Sequence, residues 1–139
     1  TIEIKSSHLC CGKLETLVDF NDSDGFTHVD GSPSPRWLQI DFKTRKVQLN
    51  SYLVKSKDST VTRYLRSWKI EISEDGNQWK MIDERNEISS LNGDNKIQLF
   101  NISTDHKPFR FIRIISNKDN WYNDNGFSLG KLELFGQIY

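Results

Sequence analysis

The chain has 139 residues, nineteen of them basic and nineteen acidic, giving a formal net charge of zero. That length is one domain's worth of chain, able to bury about two thirds of its unfolded surface without disulfide or metal staples. Zero net charge lacks the electrostatic footprint of a general nucleic-acid binder, and the absence of a long apolar run excludes a membrane-spanning helix.

Taken in order, Ile2 and Ile4 alternate with Glu3 and Lys5 as a short first strand, and Leu14, Leu17, Val18 and Phe20 suggest a second. Residues 21–35 are polar, with two glycines and two prolines, and read as a long surface loop. Leu38, Ile40 and Phe42 alternate with Gln39 and Asp41, a half-buried strand. After a polar turn at 43–46, the strand 47–55 changes phase from Val47 and Leu49 to Tyr52 and Val54, which is what a bulge produces. Residues 56–66 form a second polar loop. The stretch 67–83 is the organising hairpin: Trp68, Ile70 and Ile72 on one face, a Glu74-Asp75-Gly76-Asn77 turn, then Trp79, Met81 and Ile82. A third loop spans 84–95, Ile97 and Leu99 open the next strand, and 109–115 is apolar on both faces except for its arginines, as in a central strand. Residues 117–126 are a fourth loop, and Leu129, Leu132 and Leu134 lie in a last strand ending at Phe135-Gly136. No segment keeps a helical period, so about eight short antiparallel strands predict an all-β sandwich or jelly roll. With no charged-then-apolar leader, residues 1–139 are expected to be one domain excised from a longer protein.

The catalytic motifs are missing: no GxSxG, no glycine-rich phosphate loop, no HExxH and no CxxC. His8, His28 and His106 are isolated in sequence, so a binding module is expected rather than an enzyme. The two cysteines, Cys10 and Cys11, are adjacent and can bond to each other only through a strained ring. Reduced thiols are the favoured reading and point to an intracellular setting; the sequons at Asn21 and Asn101 point outward, and the extracellular setting is left open.

Three loops carry ligand chemistry. Glu15, Asp19, Asp22, Asp24 and Asp30 supply oxygens that could serve calcium, but the spacing fails the EF-hand test, and a solvated acidic loop is favoured, with no cofactor expected. Lys55, Lys57, Arg63, Arg66 and Lys69 surround Tyr64, a flat face among cations that suits anionic or polyhydroxylated ligands as well as it suits an ordinary soluble loop. Trp121 and Tyr122 stand in an Asn/Asp-rich stretch without a core slot in the strand pattern. Exposed aromatics beside amides provide a stacking face with hydrogen bonds, as sugar and peptide sites use; the competing reading folds Trp121 back as a plug.

Pro35-Arg36-Trp37-Leu38-Gln39-Ile40-Asp41-Phe42 with Lys46-Val47 resembles the W-L-Q-I-D-L-G…K-V signature of the discoidin family, the C-terminal domain type of coagulation factors V and VIII. The hairpin with Ser73-Glu74-Asp75-Gly76 and Trp79, Phe111-Ile112-Arg113-Ile114, and Leu132-Glu133-Leu134-Phe135-Gly136 match further family motifs in the family's order. The resemblance implies a galactose-binding-domain-like jelly roll with its termini close together and ligands held by loops at one end. Carried over, those loops are 26–36, 55–66 and 121–125, bordered by 89–93, with Phe26, His28, Arg36, Lys57, Arg63, Tyr64, Trp121, Tyr122, Asn123 and Asn125 as the ligand-binding candidates. It further implies a structural calcium in some members; Glu133 matches the family's glutamate, while the acidic loop departs from the D-G-x-x-x-T-x-W form. The end-to-end disulfide of secreted members has no cysteine near Tyr139, and the wording around Tyr64–Glu71 and Phe109–Trp121 resembles the BTB- and kelch-associated intracellular branch. The leading expectation is therefore a protein-interaction adaptor. The alternative is a carbohydrate-binding, galactose-type lectin module, with phospholipid binding third.

Overall fold

The computed structural model describes residues 2–7, 9–12, 27–29, 36–57, 64–116 and 126–139, with the backbone alone at 9–12 and 27–29. Its strands are β1 (Glu3–Ser6), β2 (Leu9–Gly12), β3 (Thr27–Val29), β4 (Arg36–Asp41), β5 (Val47–Lys55), β6 (Trp68–Ser73), β7 (Lys80–Arg85), β8 (Ile97–Asn101), β9 (Phe111–Ser116), β10 (Phe127–Leu129) and β11 (Lys131–Ile138). One sheet runs β1-β4-β9-β6-β7, and two three-stranded sheets run β10-β3-β2 and β11-β5-β8. All named strand pairs are antiparallel. The fold is the expected all-β jelly-roll sandwich.

Period-two side-chain alternation explains the core. Leu38, Ile114 and Ile70 form one inward row across β4, β9 and β6, and Ile40, Ile112 and Ile72 form the next. β9, apolar on both faces, is indeed central between β4 and β6. Its outer face is covered differently: Arg113 lies 4.0 Å over the Trp79 ring and donates to Glu71 at 2.8 Å, while Trp79 meets Phe111 edge-on.

The opposite layer meets these rows through aromatics. Phe100 stacks on Tyr52 at 5.2 Å and meets Trp68 edge-on at 5.1 Å. Trp68, fully buried, donates through its indole N–H to the Tyr52 hydroxyl at 2.8 Å, and that hydroxyl donates to Asp83 at 2.6 Å. Burial, followed by the Asp83 carboxylate, pushes the Tyr52 pKa well above its ordinary value. Seating Phe100 inward turns its neighbours out: Ile97 is 60 % and Leu99 48 % exposed, so the apolar residues that announced β8 lie on its solvent side.

The phase change in β5 is a bulge. Ser51 pairs with Phe135 and Leu49 with Gly136, leaving Asn50 unmatched and exposed. A β-carbon at Gly136 would run into the Gln48 carbonyl oxygen, so only glycine lets the strands close here. Two expectations need correction. Residues 27–29, assigned to a loop, form β3, and the last strand continues past Gly136 to Ile138, separated from β10 by Gly130. The strand expected at Leu14–Phe20 lies outside the described residues.

Candidate functional site

Antiparallel register sorts the connections into two ends. Arg36 at the start of β4, Ser116 at the finish of β9 and Trp68 at the start of β6 share one cross-strand row. Lys55, Ile97 and Lys131 share another across β5, β8 and β11. The segment 64–67 that leads into β6 ties the two rows into one loop end: Tyr64 bridges to Ser128 and donates its hydroxyl to Asp94, while Gly130 donates to the Lys55 carbonyl at 2.7 Å and Asn95 to that of Ser56 at 2.8 Å. The 3-10 turn Ser89–Leu91 borders it, anchored by the buried Leu91 and by Ile88 donating to the Arg66 carbonyl at 2.9 Å. Ser56, Ser67, Ser116 and Ser128 are all buried around this end.

Of the sequence-derived candidates, Arg36, Lys57 and Tyr64 are described with their side chains, and all three border the loop end. Arg36 points inward, in phase with Leu38 and Ile40, and is only 6 % exposed. Its Nε has no hydrogen-bond partner. Lys57 is partly exposed, with its Cβ facing Gly130. Tyr64 departs from expectation. Rather than offering an open flat face, it is 6 % exposed, bridges to Ser128, and donates its hydroxyl to Asp94 at 2.8 Å. The partner, thirty residues away in sequence, gives no local signal that would have shown this. His28 sits in β3 opposite Ser128 and Cys11. Phe26, Arg63, Trp121, Tyr122, Asn123 and Asn125 lie outside the described residues, as does the acidic run containing Glu15, Asp19, Asp22, Asp24 and Asp30. Glu133 stands half-buried in β11 opposite Leu53. Among the described residues no helix is long and apolar enough to cross a membrane.

The other end is closed by side chains that satisfy one another. Arg110 forks onto Asp41 at 2.8 and 3.1 Å, and the backbone N–H of Lys43 adds a bond at 2.8 Å. The Arg110 bond, opposed by burial, holds the Asp41 pKa at about 2. His106 accepts the Leu49 N–H at its Nε2 at 3.1 Å, and burial lowers its pKa. A cleft of about 430 Å³ opens here between the β6–β7 turn and residues 105–109, lined by Asp75, Trp79 and Lys107. Two of its acids, Asp75 and Glu74, already have partners. Asp75 accepts backbone bonds from Asn77 and Gln78 that lower its pKa, and Glu74 lies 3.9 Å from Lys46.

The fold is thus a jelly roll with one end tied by its own side chains and the other built from loops. The F5/8 type C domain model matches residues 5–131, and the chain belongs to that family. Among solved structures it is similar to CpGH89CBM32-5 from Clostridium perfringens, in complex with GalNAc-beta-1,3-galactose, at 12 % identity and TM-score 0.75, covering 97 % of this chain and 95 % of that one. The family 32 carbohydrate-binding module of C. perfringens NanJ, in complex with galactose, gives 10 % identity, TM-score 0.70 and coverages of 99 % and 93 %. The lectin domain of lectinolysin, complexed with Lewis B antigen, gives 19 % identity, TM-score 0.70 and coverages of 97 % and 92 %. No curated protein sequence matches the chain. None of these three relatives is a BTB- or kelch-associated domain, so the finer placement drawn from the wording near Tyr64 is without support.

Proposed function

We propose that the domain is a non-catalytic glycan-binding module that receives its sugar at the loop end. One observation carries this reading: Arg36 and the departure of residues 117–125 from Ser116 share a cross-strand row, and the contacts of Tyr64 and Arg66 join that row to the end of β5 that bears Lys57. Trp121 and Tyr122 fall in that segment, and they supply the stacking face and amide neighbours a sugar uses. Support also comes from relatives of the same fold solved with GalNAc-galactose, galactose and Lewis B antigen. This replaces protein adaptor work as the leading reading.

A glycan array of the isolated domain, with and without calcium and beside Trp121→Ala, tests it. Binding to a galactose-type glycan that the variant loses is the expected result. A blank array for the unmodified domain would return the adaptor reading to first place, to be pursued by pull-down from lysate. A calcium requirement would bring Glu133 and the acidic run into the site.

A further inference from the structure

We infer that the loop end selects glycans carrying an anionic group, a carboxylate or a sulfate ester, and that Arg36 is the residue that receives it. This rests on the reading that the loop end holds a glycan. Across β4, β9 and β6 the inward rows are Leu38–Ile114–Ile70 and Ile40–Ile112–Ile72, and the row that closes them at the loop end is Arg36–Ser116–Trp68. The guanidinium therefore belongs to the row that caps an apolar core at the loop end. A charge this buried is costly unless it is paired and hydrogen-bonded. Here Nε is buried without a partner, and no described carboxylate pairs with the group.

A second, independent observation gives the sign of the ligand. The described segments around this end, residues 55–57, 64–67, 86–96 and 130–131, carry Lys55, Lys57, Arg66, Lys96 and Lys131 against only Glu87 and Asp94. Both acids are engaged within the domain: Glu87 pairs with Arg66 at 2.8 Å, and Asp94 accepts the Tyr64 hydroxyl at 2.8 Å. Among the described residues of this end cations thus outnumber acids, within a chain of zero net charge, and the end holds a planar donor fork shaped for carboxylate or sulfate oxygens.

Calorimetric titration of the domain tests this with three matched saccharides: a neutral galactoside, its 6-sulfated form and its sialylated form. Each is measured against the unmodified protein, Arg36→Lys and Arg36→Gln. The expected result is at least about tenfold tighter binding of one acidic form than of the neutral one, with a preference that weakens as salt is raised. The ratio should fall to about one in Arg36→Gln and be partly kept in Arg36→Lys, which retains the charge without the fork. Sulfate and sialate arms tell the two anion sources apart. No binding of any saccharide would defeat the glycan reading itself. Binding of the neutral form with equal or greater affinity would leave that reading standing and overturn this one. So would an acidic preference that survives Arg36→Gln, or a folded Arg36→Lys that shifts only the thermal midpoint and not the ratio.

Discussion

The two ends of the sandwich are built from the same kinds of residue and use them oppositely. At the closed end the charges answer one another: Asp41 takes the Arg110 fork and the Lys43 N–H, Asp75 caps its own turn, and His106 holds Leu49. At the loop end, Arg36 is as buried as Asp41 but its Nε is unanswered, and lysines outnumber acids around it among the described residues. A folded chain spends polar groups either on its own stability or on holding a ligand, and burial does not tell the two apart. The presence of a partner does.

That contrast breaks most severely at Trp68, which belongs to the loop-end row yet serves the core. Trp68→Ala removes the largest fully buried side chain and leaves Tyr52 without its donor, so a loss of about 3–5 kcal/mol is expected in denaturant unfolding. Tyr52→Phe keeps the packing but strands the Trp68 N–H and leaves Asp83 with Arg85 alone, and should cost about 1–3 kcal/mol by the same measurement. A value near zero would show that this network is not held in solution.

The closed end should be the acid-sensitive one. His106 is held neutral, with its pKa below the ordinary value, so its contribution is complete above about pH 6.5 and is lost as pH falls toward the folded-state value. Asp41 titrates lower: its contribution is present above about pH 4 and disappears as pH falls to about 2. Thermal midpoints measured from pH 8 to pH 2 should therefore fall in two stages. Asp41→Asn should shrink the lower stage, to which Asp75 also contributes, at a cost of about 1–2 kcal/mol at pH 7 because Arg110 is partly exposed. The smallest expected effect sharpens the comparison from the other side. Lys57→Ala should change stability by no more than about 0.5 kcal/mol while weakening saccharide binding, as measured by parallel melting and titration.

Much of the fold was legible because local patterns coincided with tertiary demands. The Trp37–Phe42 alternation, the Asp75-Gly76 turn and the slipped phase of β5 are each set by neighbours a few residues away. What was hidden depended on distant partners or on very short elements. Three residues of β3 are too few to show a period, and nothing near Ile97 and Leu99 reveals that Phe100 takes the inward place between Tyr52 and Trp68. At the site, Arg36 shares the parity of Leu38 and Ile40, so its inward direction could be read from the sequence, although its lack of a partner could not. Tyr64 misled for the opposite reason: a tyrosine among cations reads as a stacking platform until Asp94 is brought to its hydroxyl.

The closed end also collects the first and last described segments, β1 and the end of β11. β1 begins opposite Asp41, and Tyr139 exchanges backbone bonds with Lys46, so the first and last described residues flank the one short turn that joins β4 to β5. A biotin, a fluorophore or a sensor-surface tether attached at either terminus would leave the molecule standing with its loop end outward. Attachment chemistry thus has little influence on access to the loop end. Copies linked in tandem through these termini would splay their loop ends away from the linker, where avidity is set by spacer length rather than by contact between the copies.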